Sequence, residues 1–363
     1  MGESLPAQVR ASPSRAQLNR RVGAWLLVCC AMVAIMVVLG GVTRLTHSGL
    51  SMVDWRPVTG WLPPLSQGEW EAAFRAYQGY PEYQKLNLHM TLDGFKSIFW
   101  LEYVHRLWGR LIGVAFLLPF LYFAVRGYVD RWLWPRLAGA FVLGALQGLL
   151  GWYMVKSGLV DRPDVSHYRL AAHLGLAFLI YGYLFYLALG LLVPPPSRAH
   201  QGALPTLRVP ALLVLALVFV TVIYGAFVAG LDAGFVYNTF PLMGGELVPG
   251  GLLALEPPLR NLFENVVTVQ FAHRVLAMTT LLAIVALWWR ARRLDVPARV
   301  RTTFHALLGV GIVQVALGIT ALVLVVPATL GAAHQAGALA LLSAALWALH
   351  EQNRAIPPAA AAV

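Results

Sequence analysis

Four histidines recur at matched places along this 363-residue chain. His105 stands in Glu102-Tyr103-Val104-His105-Arg106 and His273 in Gln270-Phe271-Ala272-His273-Arg274, each opening a long apolar run. His173 follows Ala171-Ala172 and His334 follows Ala332-Ala333, opening two more. One histidine in an apolar segment commonly hydrogen-bonds a neighbouring helix. Four in repeated positions point instead to ligands. Two imidazoles facing each other across a helix bundle suit six-coordinate haem iron. Zinc would want cysteine or carboxylate beside the histidines, and the runs carrying His273 and His334 offer neither nearby. Copper stays compatible, but it does not account for the small residues Gly144, Gly148, Gly151, Gly311 and Gly318 in the intervening runs. Those glycines would let a flat macrocycle approach backbone, and they would equally serve tight helix packing.

The two motifs differ three residues before their histidine, Glu102 against Gln270. Positions i and i+3 share a helix face, so Glu102 addresses the same space as His105. A carboxylate there can take a proton or stabilise a developing cation, whereas an amide can only hydrogen-bond. The first half is therefore expected to do chemistry and the second to hold a fixed group. Arg106 and Arg274 suit pairing with propionates, and snorkelling to lipid phosphates is the alternative. His47, His89, His167, His200, His305 and His350 fall in loops or near the ends of runs, where a surface role is the simpler reading.

The elements that must position these residues are membrane helices. Hydrophobic residues make up 59% of the chain and charged ones only 12%, far from a soluble composition. Apolar runs of about 20 residues, enough to cross roughly 30 Å of hydrocarbon, lie near 22–41, 104–125, 137–154, 171–193, 210–230, 270–289, 303–326 and 333–349. Continuous runs argue for helices rather than barrel strands. The expected fold is all-α, eight transmembrane helices forming two pseudo-symmetric four-helix bundles. The matched histidines support the repeat, as do Gly144, Gln147 and Gly151 in the third span against Gly311, Gln314 and Gly318 in the seventh. Four spans per half make the repeats parallel, related by an axis along the membrane normal. The net charge of +11 does not signal nucleic acid. More than half of the basic residues sit in short segments on the N-terminal side of the membrane, and most acids in the longer opposite loops. That bias places both termini in the cytoplasm.

Residues 1–21 read as a disordered N-terminus, 22–193 as the first half including an aromatic loop at 42–103, and 194–209 as a linker. Residues 210–350 read as the second half and 351–363 as a tail. Within the aromatic loop, Ser66 and Glu69 have capping-box spacing for a short helix to about Tyr77, and Asp93 is the expected cap of a helix leading into the second span. The loop is expected to rest on the membrane interface as a lid. Cys29 and Cys30 are neighbours in the first span, pointing about 100° apart, and read as packing residues rather than a disulfide.

With the eight spans, the Glu102–His105 motif, the repeated histidines and Gly40-Gly41-Val42-Thr43-Arg44, the chain resembles the haem A synthases over nearly its whole length. Some members carry a cysteine pair in the first outer loop. This chain has none there and is similar to the cysteine-free type of proteobacteria and mitochondria. The resemblance implies oxidation of a methyl group of haem O to a formyl group through hydroxylated intermediates. His105 and His173 would hold the haem O substrate, Glu102 would assist the oxidation, and His273 and His334 would ligate a haem b cofactor. It also implies a bacterial inner-membrane protein, with haem O synthase, an electron-transfer partner and a homo-oligomer as candidate associations. A di-haem electron carrier without chemistry on the haem, and a transporter, are the competing classes. The first has no use for Glu102, and the second would need more polar midplane groups than Gln147 and Gln314.

Overall fold

A computed structural model describes residues 14–55, 60–159, 164–193 and 205–353. Most of the proposed N-terminal segment, linker and tail, with His200, lies outside the described residues.

The described chain is helical, without a β-strand among the described residues. Among the described residues, eight helices are long and apolar enough to cross a membrane: α1 (Arg15–Leu45), α4 (Leu92–Val125), α5 (Trp134–Gly158), α6 (His167–Leu192), α7 (Pro205–Gly230), α9 (Val266–Arg292), α10 (Ala298–Val323) and α11 (Ala328–Asn353). Shorter helices α2 (Gln67–Gln78), α3 (Pro81–Leu86) and α8 (Asn261–Glu264) belong to the two large loops. The molecule is a multi-pass membrane protein.

Helices α1, α2, α4 and α9 start where a side chain accepts from their first backbone donors. Ser66 closes the expected capping box with Glu69 at the head of α2. The cap of α4 is Thr91, whose hydroxyl accepts from the Gly94 amide at 3.2 Å, and not Asp93, which lies in the first turn and pairs with Lys96. Hence α4 begins about a dozen residues before the apolar run. Asn265 caps α9 through the amides of Val267 and Thr268.

Within the first half α1 packs on α4 and α6, and α5 on α4 and α6; in the second, α7 packs on α9 and α11, and α10 on α9 and α11. Between halves α1 meets α11 and α7 meets α6, contacts that an exchange of halves turns into one another, while α6 meets α11. The interface core gathers Val33 and Val37 of α1, Phe178 of α6, Val214 and Val218 of α7, and Leu341, Leu342 and Leu346 of α11. Cys29 and Cys30 are free and buried in the first-half core beside Trp25 and Phe116.

Both large loops and the α5–α6 and α10–α11 turns gather at one end. There Leu50 packs on Gly158, Gly230 on His167, and Tyr168 donates to Glu264 at 3.1 Å. The 42–103 loop is anchored by its own aromatic core: Tyr77 of α2 and Phe95, Phe99 and Tyr103 of α4, with Trp70, Phe74 and Tyr83 around them. The Tyr103 hydroxyl donates to the carbonyl of Trp61 at 2.6 Å, stitching loop to span.

Candidate functional site

One continuous cavity of about 1310 Å³ reaches into both halves, and its lining includes His105, His173, His273 and His334. It exceeds the roughly 300–1,000 Å³ of a single small-molecule pocket. His105 of α4 lies near His173 of α6, and His273 of α9 near His334 of α11, so the histidines pair within halves.

Each histidine faces a glycine of the neighbouring helix. A methyl group added to Gly40 of α1 would stand 3.3 Å from Nε2 of His105 on α4, and one added to Gly225 of α7, 3.2 Å from Cε1 of His273 on α9. Likewise Gly151 of α5 opposes His173 of α6 at 3.0 Å, and Gly318 of α10 opposes His334 of α11 at 2.8 Å. The four imidazoles therefore occupy space that any larger side chain would fill. Gln147 and Gln314 repeat one contact, each donating through Nε2 to the main-chain carbonyl of its histidine, His173 or His334, at 3.0 Å. Of the other glycines noted in the sequence, Gly144 and Gly148 line the cavity with open space before them, and Gly311 packs on Ile284.

Two histidines per half do not make a cage for a bare ion. Among the described residues no three His, Cys, Asp or Glu side chains converge as a metal site, whereas zinc sites take three or four protein ligands. A metal held by either pair would need its remaining coordination from a group bound with it. A flat macrocycle carrying its own equatorial donors, seated against glycine in a mostly apolar cavity, fits this donor set.

Glu102 is buried, only 2% exposed, which rules out a solvated interfacial acid. Its Oε2 accepts from the Ser51 hydroxyl and the Met52 amide, both at 2.7 Å, and its Oε1 pairs with Arg106. Gln270, equally buried, has the opposite surroundings. Its Nε2 donates to the carbonyls of Ala233 at 2.8 Å and Tyr237 at 3.2 Å, and its Oε1 accepts from Arg274 at 3.3 Å. The first loop presents donors to a carboxylate; the second presents acceptors to an amide. Both arginines line the cavity and pin their loops, Arg106 to the carbonyls of Met52 and Asp54 under the Trp55 ring, Arg274 to those of Tyr237 and Thr239.

Of the remaining histidines, His47 lines the cavity beside Arg44, which itself bridges to Asp232 of the second half at 3.1 Å. His89 is exposed and outside the lining. His167 opens α6, His305 accepts from the Trp288 indole at 2.9 Å, and His350 packs buried on Tyr186. Sequence reasoning missed Ser51, Glu82 and Gly225. Only Gly225 left a trace, because Tyr224-Gly225 stands in the fifth span where Leu39-Gly40 stands in the first.

Residues 23–346 match the family model described as COX15-CtaA, cytochrome oxidase assembly protein. The chain is 53% identical to the Heme A synthase of Nitrosospira multiformis over 93% of this chain and 95% of that protein. It is 50% identical to the mouse Heme A synthase COX15, over 94% of this chain and 84% of the relative. The Arabidopsis thaliana protein of the same name is 48% identical over 98% and 79% respectively. By a match that spans nearly all of its helices, the chain belongs to the COX15-CtaA family.

Proposed function

We propose that this membrane protein acts as a haem A synthase, oxidising the methyl group of haem O to a formyl group through hydroxylated intermediates. Its relatives of that name support the reading. Within the site, the observation that carries it is the contrast between Glu102 among donors and Gln270 among acceptors. Two equivalent electron-carrying sites would need no such difference.

In this reading residues 22–193 form the substrate half and 210–350 the cofactor half. His105 and His173 hold the iron of haem O, and His273 and His334 hold a haem b. A bound haem b would supply one-electron redox chemistry. Gly40, Gly151, Gly225 and Gly318 keep the imidazoles close to backbone and fix their reach. Glu102, on the His105 face of α4, lowers the energy of positive charge developing on the substrate, in a cavity where little water screens it. Arg106 and Arg274 are the candidate propionate partners, and Arg274 keeps a buried Nε without a hydrogen bond. The aromatic loop covers the site and excludes bulk water. The charge bias places this loop-rich end outside and both termini in the cytoplasm.

The test is expression in a host that makes haem O but not haem A, followed by extraction of the haems. Hydroxylated and formylated haem should appear. Recovery of haem b alone, with Glu102→Gln changing nothing, would overturn the reading. A second test addresses the cradle. In a helix interior Gly→Ala gains about 1 kcal/mol of propensity, yet at Gly318 the new methyl would crowd His334 at 2.8 Å. Gly318→Ala should therefore keep the fold and perturb the absorption spectrum of the second-half haem. An unchanged spectrum would show that His334 does not bear on the iron.

A further inference from the structure

Glu102 cannot easily serve as the base of its own cavity. Both oxygens already accept hydrogen bonds, from Arg106 on one side and from Ser51 and Met52 on the other. Oxidising a methyl carbon to an alcohol with water removes two electrons, which pass to an external electron carrier, and releases two protons. The electrons leave to that carrier; the protons need an acceptor.

The loop supplies a second acid. Glu82, on α3, is 3% exposed and lines the same cavity as Glu102 and His105. Tyr77 of α2, itself fully buried, hydrogen-bonds its carboxyl and accepts in turn from the Asn87 side chain at 2.8 Å. The other oxygen, Oε2, is buried and has no hydrogen-bond partner. An unsatisfied buried carboxylate oxygen carries a penalty that a proton or a bound water relieves. The cavity-lining segment of the second loop, 232–240, offers no acid to match it beyond Asp232, and Asp232 is paired with Arg44 across the halves.

We propose that Glu82 is the proton acceptor of the substrate half, taking protons released in the cavity during oxidation and passing them to the loop-rich surface. The step is a simple exchange. A cavity water attacking the substrate gives its proton to Oε2, forming an O–H bond, and the carboxyl ionises again toward the exposed side of the loop. The inference rests on the haem A synthase reading and adds a residue to it. The groups facing Glu82 are Tyr77 from α2, Glu102 with its partner Arg106 from α4, and Asp164 from the segment before α6. Burial, with the nearby Glu102 and Asp164 charges adding to it and the Tyr77 hydrogen bond opposing it, pushes the Glu82 carboxyl up to about 7. A base must be ionised to work, so turnover limited by this group rises with pH through about 7.

The test uses the full-length chain purified in detergent with its haems, assayed for oxidation of haem O across that pH range. The wild type should show the rising limb. Glu82→Gln should retain its haem spectra, lose the limb, and turn over roughly 10²–10⁴-fold more slowly. Tyr77→Phe removes the hydrogen bond that favours the ionised form, so its limb should move to higher pH. Infrared difference spectra of the wild type should show a protonated-carboxyl band titrating in the same range. Glu82→Gln with wild-type rate and limb, an unmoved limb in Tyr77→Phe, or no titrating band would each overturn the proposal. If the wild type oxidises no haem O at any pH, the functional reading falls and this role with it. If the wild type is active and only the Glu82 results fail, the reading stands without Glu82.

Discussion

Glu102→Gln should slow haem oxidation by roughly 10²–10³-fold while the protein still carries haem, the usual cost of losing one preorganised electrostatic group. The substitution is nearly isosteric, and Gln270 shows that the scaffold accommodates an amide at the matching position. Its cost is local. Either orientation of the introduced amide turns its NH2 toward a donor, whether the Arg106 guanidinium or the Ser51 and Met52 pair. The variant should therefore unfold more readily, by about 1–3 kcal/mol for the unmatched buried donor, yet bind haem normally once folded. Haem content and product, measured on the same purified sample, separate the two effects. Product formation at the wild-type rate would remove Glu102 from the chemistry.

The second large effect is a division between histidines. His273→Ala or His334→Ala should cost the second-half haem, by more than the roughly 10–100-fold in affinity that loss of an outer hydrogen-bond partner costs a metal site. His105→Ala or His173→Ala should leave that haem in place and stop the oxidation of haem O. The check is the haem-to-protein ratio and the low-spin absorption of each variant, together with the haems extracted from cells. Identical spectra from all four variants would show that the halves do not divide the work. Cavity creation is small in each case, because the imidazoles border open space rather than packed core. A collapse of the whole fold is not expected.

Much of this arrangement is legible in the residues, because membrane helices advertise themselves. The continuous apolar runs reveal eight spans, and a histidine in hydrocarbon is too costly to be incidental when it recurs four times. The Ser66–Glu69 spacing by itself marks α2. The start of α4 is hidden for a physical reason. Asp93, Lys96 and Ser97 interrupt the apolar run, so the hydropathy signal begins after the helix has made several turns among the loop aromatics. Arg106 shows another limit. Its charge and position suggest a propionate partner, while its hold on the carbonyls of Met52 and Asp54, some fifty residues earlier, is a contact that no spacing rule encodes. Glu82 looks like one more polar loop residue. Only the packing of α2 and α3 over the cavity buries it.

The opposed linings around Glu102 and Gln270 also bear on how such a two-halved molecule can change over generations. A glutamate in place of Gln270 would face the carbonyl oxygens of Ala233 and Tyr237, and a glutamine in place of Glu102 would face surplus hydrogens. Converting either half into the other thus needs the key side chain and the polarity of its loop to switch together. Each single substitution passes through a less stable intermediate. Once the acid and its donors had settled in one half, and the amide and its acceptors in the other, drift one codon at a time would be held back from restoring two equal halves.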